Sequence, residues 1–145
     1  MRMEFSAAHI AGVLECPVQH IAHMGQIVLP DGPANGSGHR AQYSFRNILE
    51  MMITERLRSF GVPQKRIQRY LAALRKAHNR WLEIDGPDEG WIVLDRVSRW
   101  AAGSTLAGAV EVLALTTPAD ALIAVDLGRL KQALRHKIVM DVFSD

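Results

Sequence analysis

At 145 residues, 48% of them hydrophobic and 22% charged, the chain has an ordinary globular composition and enough length for one domain or two small units. No apolar run reaches the ~18 residues of a membrane span, no long apolar stretch follows the N-terminal charge as a secretory signal requires, and a single cysteine, Cys16, excludes an internal disulfide. A soluble cytoplasmic protein without a membrane partner is expected. The net charge of +2 hides an uneven distribution: residues 39–80 hold ten of the 17 Lys and Arg against two acids, Glu50 and Glu55, whereas residues 81–126 hold Arg96 and Arg99 against eight acids.

In chain order, Ser6 reads as an N-cap for a short helix with Ile10, Val13 and Leu14 on one face. Pro17 opens a second short helix that buries Val18, Ile21 and Met24. Two short helices joined by a tight turn make a helix-turn-helix. "QIVLP" then reads as a strand, "DGPANGSG" as a loop and "HRAQYS" as a returning strand, which together make a wing. Ser44 caps a helix in which Phe45, Ile48, Leu49, Met52, Ile53, Leu57 and Phe60 recur at helical spacing, with Gly61 as its stop. Pro63 starts the next helix. Its apolar stripe is Ile67, Tyr70, Leu71, Leu74 and Trp81, and its other face carries Lys65, Arg66, Arg69, Lys76 and Arg80.

After Trp81 the composition changes, and the acidic, turn-rich "EIDGPDEGW" marks a boundary between units 1–81 and 82–145. "WIVLD" and "ALIAVDL" read as strands around a small, flexible "AAGSTLAGA"; "VEVLAL" fits a strand or the end of a helix. "LGRLKQALRHKI" is a last amphipathic helix, capped by Asp126, with Leu127, Leu130, Leu134 and Ile138 inward. The expected fold class is α+β, mainly helical: a winged helix-turn-helix followed by a small α/β unit for dimerisation or partner binding.

"FSAAHIAGVLECPVQHIAHMGQIVLP" followed by "GHRAQYSFRNILEMMITERLRSFGVPQKRIQRYLAAL" resembles the winged-helix DNA-binding domain of the bacterial mercury-resistance regulator (MerR) family. The resemblance covers residues 5 to about 75, and Gly38, Arg40, Tyr43, Ser44, Arg56, Leu57, Arg58, Gly61, Val62, Pro63, Arg66 and Ile67 carry it. It implies a transcriptional regulator that binds double-stranded DNA as a homodimer. Arg40 would reach a minor groove or phosphate from the wing. Tyr43 and Ser44 would bond phosphate, with Arg46, Arg66 and Arg69 adding backbone contacts. Ala22, His23 and Met24 stand where the family has Arg-Tyr-Tyr, so base readout would fall to Gln19, His20, His23 or Gln26. The C-terminal portion resembles the compact tails of small MerR-like proteins, some of them antitoxin-like. This implies an alternative in which the tail holds a toxin-like protein and DNA binding is autoregulatory.

A solvated helix face mixes signs, whereas here bases one turn apart repel unless phosphate neutralises them. Few aromatics interleave with them, which favours duplex over single strands. Cys16, His20 and His23 share a helical face and could hold zinc, but three ligands on a recognition helix make a poor site, and no metal or cofactor is expected. Without a phosphate loop, a Ser-His-Asp set or a nucleophile elbow, no enzyme is expected.

Overall fold

The computed structural model describes residues 4–32, 41–95, 99–115 and 121–142, in a mixed α/β, mainly helical arrangement. Strand β1 (Glu4–Phe5) leads into α1 (Ala7–Leu14), where the Ser6 hydroxyl accepts a bond from His9 N at 3.1 Å as the N-cap. Glu15 ends α1 in the left-handed region (φ 55°), a conformation that costs a non-glycine residue about 1 kcal/mol. That bend lets Pro17 open α2 (Val18–Met24) after only three linking residues. Ile10, Val13, Ile21 and Met24 are buried between the two helices and the rest of the core; Val18 is half exposed.

The apolar stretch 26–30, expected as a strand, is instead a turn. Ile27 N and Val28 N both donate to Met24 O, at 2.9 and 2.8 Å, and continue the last turn of α2. Both side chains are buried, so the run is apolar because it lies in the core and not because it pairs in a ladder. Strand β2 (Tyr43–Ser44) pairs antiparallel with β1, and a single bridge links Gly32 to Gln42. The expected wing loop, including Gly38 and Arg40, lies outside the described residues.

The two long helices follow their sequence signals. In α3 (Phe45–Ser59), Ser44 and Asn47 exchange side-chain-to-backbone bonds of 3.2 and 3.0 Å in a capping box. Gly61, at φ 82°, then supplies the left-handed turn that closes the helix. Phe45, Ile48, Leu49, Ile53 and Leu57 are buried, but Phe60 is 62% exposed. It sits on the C-cap with ψ near zero, past the last residue whose direction the helical period sets. Helix α4 (Gln64–His78) runs into a 3-10 turn, Asn79–Leu82, and buries Ile67, Tyr70, Leu71, Leu74 and Trp81.

Beyond it, β3 (Trp91–Leu94) is the middle strand of an antiparallel sheet between β4 (Trp100–Gly103) and β5 (Ile123–Asp126). "VEVLAL" resolves as helix: α5 (Leu106–Ala114) is capped by Thr105 and buries Ala109 and Leu113 on the sheet. Gly103 permits this close approach, since a Cβ there would lie 2.7 Å from Ala109 N. Helix α6 (Leu127–Val142), with Asp126 Oδ1 accepting from Arg129 N at 3.1 Å, packs against α3 and α1. One buried cluster therefore runs from Phe5 and Ile10 through Leu49 to Leu134 and Ile138, across the composition change at Trp81. Among the described residues no helix is long and apolar enough to cross a membrane.

Loop 83–88 is clamped onto α6. Arg135 donates to Ile84 O at 2.5 Å and pairs with Asp88, while the fully buried Lys131 donates to Pro87 O at 3.2 Å. Burial and the nearby Arg135 push the Lys131 pKa down.

Candidate nucleic-acid interface

The basic segment divides into charges that hold the scaffold and charges that face water. Arg46 Nη2 lies 3.1 and 3.0 Å from the two Asp31 oxygens, and its Nη1 donates to Asn79 Oδ1 at 2.9 Å. Arg75 grips Glu50, which is 1% exposed, through bonds of 2.8 and 2.5 Å, and approaches Asp31 at 3.7 Å. Burial pushes the Asp31 pKa up. The Ser44 and Arg46 hydrogen bonds and the Arg46 and Arg75 charges outweigh that and hold it below the usual carboxylate range. For Arg75, the Glu50 hydrogen bond and charge outweigh burial and raise the guanidinium further. Asn47 completes the network: its Oδ1 accepts from Asp31 N at 2.9 Å and its Nδ2 donates to Leu29 O. These bonds tie α3, α4 and the turn at Asp31 together.

Several residues expected to touch DNA belong to this scaffold. Ser44 donates to Asp31 Oδ2 at 2.5 Å. Tyr43 is 5% exposed, with its hydroxyl against Gly25 at the end of α2, and burial raises its pKa. His20 Nε2 lies 2.7 Å from Glu55 Oε1, joining α2 to α3. Arg46 is engaged as above. Arg40 lies outside the described residues.

The others face outward. Gln19 and His23, four residues apart on α2, are both exposed, and Gln26 follows just past the helix. On α4, Lys65, Arg69 and Lys76 are exposed at spacings of four and seven residues with Ala72 between them, a straight stripe about 16 Å long. Arg56 and Arg58 are exposed on the last turn of α3. None of these five cations makes a side-chain hydrogen bond or ion pair with a described residue. Arg66, half exposed, donates from Nε to Tyr70 Oη at 3.2 Å, and its terminal nitrogens bond no described residue. Gln68 Nε2 donates to Gln26 O at 3.4 Å, so the stripe starts beside the exit of α2. Lys65 and Lys76 are not among the site residues expected from the sequence, although the four-residue spacing from Lys65 to Arg69 and the return at Lys76 are visible in it. Among the described residues no three His, Cys, Asp or Glu side chains converge on a point that could hold a metal. The scan of protein-family models gives no match to the chain, and neither does the search of curated proteins.

Proposed function

We propose that the protein binds double-stranded DNA as a MerR-like transcriptional regulator, through a winged helix-turn-helix made by α1, α2 and the segment between α2 and α3, and works as a cytoplasmic homodimer. The observation that carries this reading is the row of cations on α4 that pair with no described residue, set beside the end of α2. Its members repel one another in the free protein, and phosphate removes that cost while releasing counterions. Gln19 and His23 supply the exposed hydrogen-bonding side chains on α2, beside His20, which is engaged by Glu55. They fit donor and acceptor roles at base edges in a major groove. Phosphate contacts from α4 would orient the module, and base contacts from α2 would give preference. A small module of this kind reads few base pairs, which is why two copies on paired half-sites are expected.

Selection of bound sequences from random duplex DNA tests the reading. Lys65→Ala with Arg69→Ala should weaken binding on every sequence alike. Gln19→Ala with His23→Ala should flatten the selected preference, since each bidentate pairing with a base edge contributes about 1–3 kcal/mol of discrimination. If the first variant changes preference and the second only overall affinity, the assigned roles are wrong.

A further inference from the structure

Among the described residues, the sheet ending in β5 has an open side. In the order β4-β3-β5, β5 is paired only with β3, and no other backbone hydrogen bond reaches residues 122–125 among the described residues. Alternate residues of an antiparallel edge strand turn their N–H and C=O outward, where they template pairing with another strand. Edges that must stay single are usually blunted by Lys, by Pro or by a bulge. Ala121, Leu122, Ile123, Ala124 and Val125 include none of these, and Ala121, Leu122 and Ala124 are exposed. Phe60 stands alongside, between two clefts of about 350 and 400 Å³, the first shared with Ala124 and Arg129 and the second with Leu122 and Asp95.

We infer that β5 pairs with β5 of a second copy of the chain, antiparallel about a two-fold axis normal to the sheet, so that two three-stranded sheets become one of six strands. This rests on the homodimer of the proposed function and names its surface. The charges at the two ends of β5 are what select a second copy as the occupant. Beside the Asp126 end lie Arg56 and Arg129, and beside the Leu122 end lie Arg66 and Asp95. Antiparallel pairing lays the Asp126 end of one strand against the Leu122 end of the other. Arg129 then approaches the partner subunit's Asp95, and Asp126 the partner subunit's Arg66, each pair formed twice. An axis normal to the sheet keeps both Phe60 rings on one face, where each covers apolar surface left open in the single chain.

Light scattering on the full chain tests this, with circular dichroism as the check on folding. The wild-type protein should run as a dimer. Ala124→Lys, which sets like charges against each other at the axis, should run as a folded monomer. Phe60→Ser should also shift the equilibrium towards monomer, and does not depend on β5 tolerating a substitution. Arg129→Glu should weaken the dimer, and adding Asp95→Lys should restore it. A wild-type monomer overturns both this interface and the homodimer of the proposed function. A wild-type dimer that Ala124→Lys and Phe60→Ser leave intact overturns the interface alone. A dimer that these variants split but that binds no duplex supports the interface and overturns the DNA reading.

Discussion

Glu50 and Asp31 decide which of the basic residues are structural. A carboxylate as buried as Glu50 is tolerable only when paired, and Arg75 supplies two charge-assisted bonds from the neighbouring helix. Glu50→Ala should cost about 2 kcal/mol in urea denaturation, less than a fully buried broken pair because Arg75 keeps a third of its side chain in water. An unchanged midpoint would mean that water already satisfies Arg75. For Asp31 the sign follows from its lowered pKa. The carboxylate favours the folded state at neutral pH, and that contribution is lost as pH falls below about 4, through the ordinary carboxylate value and then the lower folded one. Asp31→Asn should therefore melt lower than wild type at pH 7, and the gap should close on acidification. A gap that stays constant from pH 7 to the acid limit would show that the hydrogen bonds, not the charge, do the stabilising. In the sequence Glu50 is legible only as an exception within a basic run, and Asp31 only as the first residue of a loop before it. Their partners Arg46 and Arg75 lie fifteen to twenty-five residues further on, and no local pattern indicates that they bury charge together. The same holds for Lys131, which lies between inward-facing leucines yet has the residue type of a surface position.

Helices α3 and α4 are legible in the sequence because cap, stop and apolar period agree in α3, and Pro63 and the apolar period agree in α4. Ser44→Ala should cost about 1 kcal/mol, measured by thermal unfolding, because it removes half of the capping box and the bond to Asp31. In the first sheet, β2 lies within the expected strand "HRAQYS", but its partner is β1 and not "QIVLP". β1 is not legible: it has two residues and is stabilised by a partner about forty positions away, so it shows no alternation to count. "VEVLAL" suits either state because its β-branched residues also fit a short buried helix; the Thr105 cap and the close approach at Gly103 decide it. On α4 the exposed stripe makes no side-chain hydrogen bond or ion pair with a described residue, so it can be removed at little structural cost. Lys65→Ala, Arg69→Ala and Lys76→Ala together should leave the melting temperature unchanged or raise it slightly, since like charges disappear. The same triple variant should make the slope of log affinity against log salt shallower by roughly 2 to 3. Loss of structure in this variant would place the stripe in the scaffold.

At the scale of the molecule, α6 covers α3 and α1, and the core runs without a break from Phe5 to Ile138. The change of composition at Trp81 marks the change from basic to acidic surface, which the sequence shows plainly; the shared interior depends on packing between distant segments, which it does not. A chain ending at Leu82 loses Leu127, Leu130, Leu134 and Ile138 from its core and should show no cooperative unfolding transition. A sharp transition in that fragment would mean that the first half closes its own core. The charge asymmetry suits a molecule that turns its basic half to a polyanion and keeps its acidic half away from it. Fluorescence anisotropy of the full chain on mixed-sequence duplex DNA, titrated with salt, measures that directly. With five exposed cations per chain that pair with no described residue, the proposed function predicts tight binding at low salt and a slope of about −4.5 per chain, at about −0.9 for each phosphate neutralised. No binding at low salt, or an affinity that salt leaves unchanged, would contradict DNA binding by this protein.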